Sequence, residues 1–557
     1  MNVVLMIQTI ITAILATLAT FGRVALTIIL SIVLGWFLGY AAAKSGLFER
    51  IFLSITQTLE AVPVITFFPV VLIFFVKSIG GYIGTELAVD FLVFTAVVWN
   101  IWVGEYESIK TTSQSLEDAA EMLRLGFWGK FRYLYIPITM PRIAGNVLVS
   151  FADALFYIVV SEVITLGTTQ YSVFGIGALI ANWVSNGEWT NAFTGLGVLI
   201  VMVTAVLFGI LRPFVNWAVK YSYDPLMEVT RTRIRRPVVT SRARAFVARN
   251  IRYIRRVAAI EDAVMPVFIK ASSYAIRHRL TTRPRPRNVL TVTEKYVGLA
   301  FGVAIIAWLT YAIYSTWQST WVPIINDIYN HGILYLYYLG LDWLRVVLVT
   351  LASIVIAIPI NYLMVTNRRV EAILLPILED LASIPVSAYL PLIAIPFVTY
   401  LAITLGIHAS LELLVFIVAF LSTAWYVIYN MYVGMKTIPR SLWDVTDNLK
   451  LSTWQKLRRL AIPGAMPATI TGLASTVGST WGGLEVAEYI QGLNGQVYMV
   501  HGYTALMDYY TAVGNIVGLE AMSLILAINV ILLSVFVWRR LFRLARERYR
   551  LEGAITL

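Results

Sequence analysis

Ser115–Pro141 reads SLEDAAEMLRLGFWGKFRYLYIPITMP, and Ser441–Pro467 reads SLWDVTDNLKLSTWQKLRRLAIPGAMP. The two align without a gap at an offset of 326 residues, with 13 of 27 positions identical. Trp128 falls on Trp454, Lys130 on Lys456 and Pro137 on Pro463. Hydrophobic bias alone does not match a Trp, a Lys and a Pro position for position, so the chain is an internal duplication. Working outward, Lys110-Thr111 matches Lys436-Thr437 and Glu162 matches Glu488 at that offset, while Pro63 and Pro69 match Pro385 and Pro391 at an offset of 322.

The material duplicated is membrane protein. Of 557 residues, 59% are hydrophobic and 13% charged, where soluble chains carry about 25% charged residues. Apolar runs such as Val24–Ala43, Gly195–Leu211, Val346–Met364 and Ala521–Val537 recur along the chain, several of them near the ~20 residues of a spanning helix. The fold class expected is all-α integral membrane, as two tandem bundles of about six transmembrane helices: 1–218, a basic linker 219–295, and 296–557. In the first bundle the helices fall near 3–20, 23–44, 51–77, 84–108, 138–160 and 193–213; in the second near 296–316, 343–366, 372–405, 408–430, 464–486 and 519–540. The formal charge of +12 is concentrated: between Val219 and Lys295 there are 18 Lys and Arg against five Asp and Glu, and the C-terminal stretch repeats the bias in Arg539, Arg540, Arg543, Arg546, Arg548 and Arg550. Positive residues favour the cytoplasmic side, so the linker and, with six crossings in each half, both termini are expected there, in a multi-pass cell-membrane protein. The linker reads as a surface-lying connector drawn to anionic lipid headgroups; nothing in it supports nucleic-acid binding. Val3–Ala19 has no basic leader and reads as a first span rather than a cleaved signal.

Each duplicated segment opens with Ser-x-x-Asp, Ser115 to Asp118 and Ser441 to Asp444, a capping-box pattern with Asp in place of Glu. A short helix is expected, interrupted at Gly126 and Ser452 before the basic sets Lys130, Arg132 and Lys456, Arg458, with Pro137 and Pro463 at the entry to the next span. Such a helix either lies amphipathically on lipid or docks another protein; the recurrence of the same Trp, Lys, Arg and Pro positions favours a shared partner surface.

These residues resemble the EAA loop of the permeases of ATP-binding-cassette (ABC) importers, whose pattern is Glu-Ala-Ala, three residues, Gly, then Ile-x-Leu-Pro. Asp118-Ala119-Ala120 and Ile136-Pro137 fill it in the first copy, Asp444-Val445-Thr446 and Ile462-Pro463 more loosely in the second; both depart at the glycine, which falls on Arg124 and Lys450. The Pro63-x5-Pro69 stretch, the Ser161-Glu162 and Ala487-Glu488 pairs and the Gly175-Ile176-Gly177 turn are similar to the nitrate, sulfonate and taurine branch. The resemblance implies a type I importer fold, a coupling helix seated in a cytoplasmic ABC ATPase dimer, an extracytoplasmic substrate-binding protein, and a small anion or sulfonate-type solute. ATP and Mg would be bound by the ATPase partner, with no cofactor in this chain; tandem fusion also occurs in ferric iron and thiamine permeases, which stand as the alternative.

Pro63, Pro69, Glu162, Pro385, Pro391 and Glu488 are the candidate pathway or gate residues, with Glu60, Asp153, Glu379 and Glu485 behind them. An ionisable group in a membrane is costly unless it faces the bundle interior or water, so Glu162 and Glu488 read either as gate groups or as carboxylates at the outer interface. No Gly-x4-Gly-Lys-Ser/Thr loop exists, the four histidines show no metal-binding spacing, and there are no cysteines. No catalytic constellation and no metal site is read. An ion-coupled secondary transporter also uses parallel repeats, but its coupling charges belong near the midplane, whereas here the repeated signature is cytoplasmic.

Overall fold

The helices follow the apolar runs, but the first of each half is longer than composition suggests. The computed structural model describes residues 3–61, 64–67, 71–166, 169–218, 221, 314–315, 317–491 and 497–548. Helix α1, Val3–Lys44, is a single rod of 42 residues, about 63 Å at 1.5 Å per residue, where two spans near 3–20 and 23–44 were expected. The intervening Phe21-Gly22 does not break it: a lone glycine costs a helix only about 1 kcal/mol, and buried Thr17, Thr20, Val24, Thr27 and Ser31 pack one continuous face on both sides of it. After α1 come α2 (Gly46–Ala61), a 3-10 turn at Val64–Phe67 and a wide turn at Leu72–Ile79, then α3 (Gly81–Lys110). The duplicated segment folds as α4 (Gln114–Met122) and α5 (Phe127–Lys130), running through a widened turn, Phe131–Tyr135, into α6 (Ile136–Ser161). A hairpin β1–β2 (Val163–Leu166, Thr169–Ser172), the short α7 (Ile176–Ser185) and the span α8 (Trp189–Ala218) complete the half.

The second half repeats the order: α9 (Val322–Thr366), α10 (Arg368–Ser383), α11 (Val386–Leu405), α12 (Ile407–Lys436), α13 (Arg440–Asn448), α14 (Thr453–Lys456), α15 (Ile462–Glu488), hairpin β3–β4 (Tyr489–Gln491, Val497–Met499), α16 (Tyr503–Val513), α17 (Ile516–Leu533) and α18 (Arg539–Arg548). α9 absorbs the helix expected at 343–366 and starts some twenty residues earlier. The linker and the helix expected near 296–316 lie outside the described residues, save Tyr221 and 314–315. Eight described helices are long and apolar enough to span, and α10 with the start of α11 forms a ninth if the pair, bent by 75°, is one broken crossing. The bend falls at Ile384-Pro385, where Pro385 caps α11 and proline disfavours helical geometry in the residue before it.

Pro137 and Pro463 sit in the first turns of α6 and α15 as expected. The helix nevertheless runs on behind them, because the i→i+5 turns Phe131–Tyr135 and Leu457–Ala461 loosen the ladder where proline supplies no N–H.

The contacts of α1 orient the half. Its early residues meet the end of α6 and the starts of α3 and α8: Thr9 bonds Asn191, Thr20 bonds Glu162 and Arg23 bonds Glu86. Its last residue, Lys44, pairs with Glu117 on α4 at 2.8 Å. The Val3 end of α1 is therefore at the opposite end of the bundle from α4. Helix α18 packs on α15, and its Arg539 and Arg543 line a cavity with Pro467 of that helix's first turns, at the α13–α14 end. One long α1 where two crossings were expected leaves its Val3 end and α18 at opposite ends of the bundle.

Candidate coupling segments and the central cavity

The duplicated segments share one bend. In the first copy the Arg124 N–H donates to the Glu121 carbonyl at 2.8 Å and the Leu125 N–H to the Ala120 carbonyl at 3.0 Å. In the second, Lys450 donates to Asp447 at 2.9 Å and Leu451 to Thr446 at 3.1 Å. That pair of bonds is the Schellman helix stop, in which the residue after the cap is left-handed and is usually glycine. Arg124 (φ 53°) and Lys450 (φ 50°) hold that conformation, alone among described residues other than glycine. The bend thus lies where the EAA pattern places its glycine, not at Gly126 or Ser452, which cap the next short helices. A Cβ in the left-handed region costs about 1–2 kcal/mol; ion pairs spanning the bend, Lys130–Glu121 at 3.2 Å and Lys456–Asp447, offset part of it.

Ser115 and Ser441 do not cap as the motif suggested. Each helix starts two residues earlier, after Ser113 and Pro439, with no side-chain cap. Asp118 instead accepts from Gln114 at 2.9 Å. The capping box that does form in these segments joins Ser452 and Gln455, at the start of α14. Ala120 and its counterpart Thr446 are buried, while Asp118, Asp444, Arg132 and Arg458 are exposed and Ala119 half-buried. Leu123 and Trp128 are 73% and 69% exposed, and their equivalents Leu449 and Trp454 65% and 66%. Each copy therefore offers solvent the same leucine and tryptophan beside the same acidic residue. Opposite faces are held differently: Glu117 takes hydrogen bonds from Lys44 and Tyr135, both 2.8 Å, whereas at the equivalent position Trp443 packs on Tyr362. Burial pushes the Glu117 carboxyl up, but those two hydrogen bonds prevail and hold it below the ordinary carboxylate value.

Glu162 and Glu488 are fully buried, and neither lines the cavities described below. Glu162 accepts from Thr20 and from the Gly177 N–H at 2.6 Å, with the Arg23 guanidinium at 3.4 Å. Arg23 also grips Glu86 by two bonds of 2.7 Å and the Phe174 carbonyl at 3.0 Å. The second half rebuilds this node. Arg345 reaches Glu488 at 2.9 Å, Asp342 at 2.7 Å, both oxygens of Glu412 and the His501 carbonyl, and Glu488 accepts from Thr504 at 2.6 Å and the Ala505 N–H at 3.1 Å. Both carboxylates thus seat the N-terminal turn of a short helix, α7 or α16, with the charge sign a helix start favours. The fit is close: a Cβ on Gly175 would stand 1.9 Å from Glu162, and one on Gly502 2.1 Å from Glu488. Both groups spend their hydrogen bonds inside the protein, on an arginine and on the start of a short helix. Arg23, Arg345, Glu86 and Glu412 were missed, although Arg23-Val24 repeats in Arg345-Val346 and Glu86-Leu87 in Glu412-Leu413 at the two known offsets.

Between the halves lies a cavity of about 450 Å³, lined from the first half by Asn100, Asp153 and Tyr157 and from the second by Pro385, Tyr426 and Tyr429. It adjoins a wider one of about 920 Å³ that also touches Asp153 and extends past Glu60 and Glu107 to Arg539 and Arg543. Of the candidate pathway prolines, Pro385 lines the cavity, Pro391 lies inside α11 and Pro63 and Pro69 fall outside the described residues. Glu379 lines the inner cavity paired with Arg212.

Two homologous helical bundles around a shared cavity, with eight helices able to span a membrane and an exposed short helix on each bundle, have the architecture of a membrane transport protein. Comparison with known families makes this specific. The chain matches the family described as binding-protein-dependent transport system inner membrane component at residues 31–220 and again at 342–548. It belongs to that family, as two tandem permease units. Among its relatives, the taurine transport system permease protein TauC of Escherichia coli K12 is 31% identical over 157 residues, 28% of this chain and 53% of the relative. The nitrate import permease protein NrtB of Synechocystis is 28% identical over 141 residues, 25% of this chain and 47% of that one. The bicarbonate transport system permease protein CmpB of Synechococcus elongatus is 25% identical over 136 residues, 24% and 45% respectively. The matched stretches span about half the length of these relatives.

Proposed function

We propose that this chain supplies both transmembrane units of an ATP-driven importer in a cell membrane. An ABC ATPase dimer, which binds the ATP and Mg, docks on α4–α5 and α13–α14 from the cytoplasm, and a substrate-binding protein delivers the solute at the opposite end. The relatives' names support a small anion or sulfonate-type solute. In this arrangement the α18 end and the linker are cytoplasmic and the Val3 end of α1 is extracytoplasmic.

The observation that carries the reading is the pairing of identical exposed groups: Leu123 and Trp128 on one coupling segment, Leu449 and Trp454 on the other, each behind the same left-handed stop. Exposed apolar residues on a rim of charge mark a protein contact, and two equivalent ones fit a dimeric partner. Closing the partner would draw the segments together and rock one bundle against the other about the cavity. Copurification of the ATPase is the test. The variant Leu123→Asp with Leu449→Asp should lose the ATPase while keeping its elution volume and helicity; full retention would reject the docking surface.

A further inference from the structure

We propose that the space between the halves opens toward the coupling end along one seam only, the one between α2 and α18, and that Arg212 and Glu379 are positioning residues that hold the other seam shut. The inference rests on the reading of that space as the solute path, and it assigns the side by which the path is reached.

The duplication makes two seams. At one, α8 of the first half meets α10 of the second; at the other, α17 and α18 of the second half meet α2 of the first. The repeat aligns their residues. α7 and α8 begin at Ile176 and Trp189, α16 and α17 at Tyr503 and Ile516, an offset of 327, so Arg212 falls on Arg539. α2 and α10 run Gly46–Ala61 and Arg368–Ser383, an offset of 322, so Glu379 falls on Gln57 and Asp380 on Thr58. The arginine is duplicated and the acid it needs is not.

The contacts follow that difference. Arg212 pairs with Glu379 across the first seam, and its guanidinium lies 4.0 Å from the centroid of the Phe208 ring, a cation–π contact. Nearby, the Ser387 hydroxyl of α11 donates to the Phe156 carbonyl of α6 at 3.0 Å, again from one half to the other. At the second seam Phe208 is replaced by Val535 and Ser387 by Ile65, which bring no ring and no hydroxyl. Among the described residues Arg539 has no ion pair, and it is exposed where Arg212 is half-buried.

The space differs in the same sense. The cavity at the paired seam, which Leu207 and Glu379 line, is about 450 Å³, and the one that Ser534 and Arg539 line is about 920 Å³. Leu207 is buried and its twin Ser534 half-buried. A pair partly withdrawn from water attracts more strongly than one in bulk solvent, which draws the first seam together. Arg539 and Arg543 without an acid between them retain their water instead, and they stand at the coupling end of the wider cavity. A wet, unpaired seam beside a dry, paired one gives the central space a single way out.

The test uses the cysteine-free full chain in lipid nanodiscs, with one cysteine at Ser534→Cys or at its twin Leu207→Cys, and reads the rate of reaction with a charged thiol reagent. Ser534→Cys should react about tenfold faster than Leu207→Cys, and Arg212→Gln should speed Leu207→Cys about tenfold while Arg212→Lys leaves it slow, a factor of ten being what one modest interaction is worth. Gln57→Glu gives the wet seam the acid that its twin has: it should slow Ser534→Cys, and Arg539→Gln added to it should restore the rate. Equal rates at the two twins, a Leu207→Cys rate unmoved by Arg212→Gln, or a Ser534→Cys rate unmoved by Gln57→Glu would each overturn the proposal. No ATPase or solute takes part, so failure here is separate from failure of the copurification test.

Discussion

A single backbone conformation decides the shape of each coupling segment. Arg124 and Lys450 occupy the left-handed position that completes a Schellman stop, and a long unbranched side chain tolerates it better than a β-branched one. Arg124→Gly should preserve the bend and the ATPase contact, since glycine is the residue the position favours. Arg124→Val should cost about 1–2 kcal/mol locally and weaken ATPase binding. Hydrogen exchange across residues 114–130 separates the two: faster exchange in the valine variant alone is expected, and equal exchange in both would show that the stop does not set the geometry. The buried nodes are residue-scale devices of another kind. Removing one partner of a buried charge pair costs about 3–5 kcal/mol, and Arg23 and Arg345 each hold two or more carboxylates together.

The two coupling helices share an exposed face and differ in how they are anchored. Glu117 fixes α4 to α1 through Lys44 and Tyr135, while Trp443 fixes α13 through apolar packing. The Glu117 carboxyl titrates below its ordinary value in the folded state, so its contribution is present above the unfolded value of about 4.3 and is lost as pH falls through the folded value. Acidification below that range should therefore speed amide exchange in α4 more than in α13, whose Asp447–Lys456 pair is the acid-sensitive contact there. Glu117→Gln should remove the difference, and parallel loosening of both helices at acid pH would contradict the assignment. The duplication, the membrane class and the positions of both coupling segments were legible because a gapless repeat and long apolar runs survive without tertiary knowledge. The serine caps were misplaced because such a motif fixes a helix end only to within a residue or two: α4 begins after Ser113, two residues before Ser115, and α13 after Pro439, two before Ser441. The α1 rod was misdivided because length beyond one span, in apolar sequence without proline at the join, carries no mark of where the membrane ends, and α9 was begun at 343 because its first turns mix polar and aromatic residues with Pro323. The Arg23 and Arg345 nodes went unread because each arginine gains its meaning when carboxylates more than sixty residues away, Glu86 and Glu412 among them, fold against it.

At the scale of the whole molecule the Val3 end of the long α1 lies at the end of the bundle opposite α4 and α18. In this cysteine-free chain, a single cysteine at Val4 should react with an impermeant thiol reagent in intact cells, and one at Leu544 should not; both residues are half-exposed or more in the bundle. The reverse pattern would invert the orientation of the pathway. Fusion of the halves also permits what two identical subunits cannot, an asymmetric cavity lined by Asp153 from one half and by Ser479 at the equivalent position of the other, and two duplicated segments anchored by different chemistry. The claim on which all of this depends is that force enters through the paired segments and moves solute through the cavity between the bundles. Its most direct measurement is ATP-driven uptake by proteoliposomes containing this chain with its ATPase and binding protein, comparing wild type with Leu123→Asp, Leu449→Asp and the pair. Each single variant should lose most of the uptake and the pair all of it, with the chain still folded and inserted; uptake at the wild-type rate in the double variant would contradict the account.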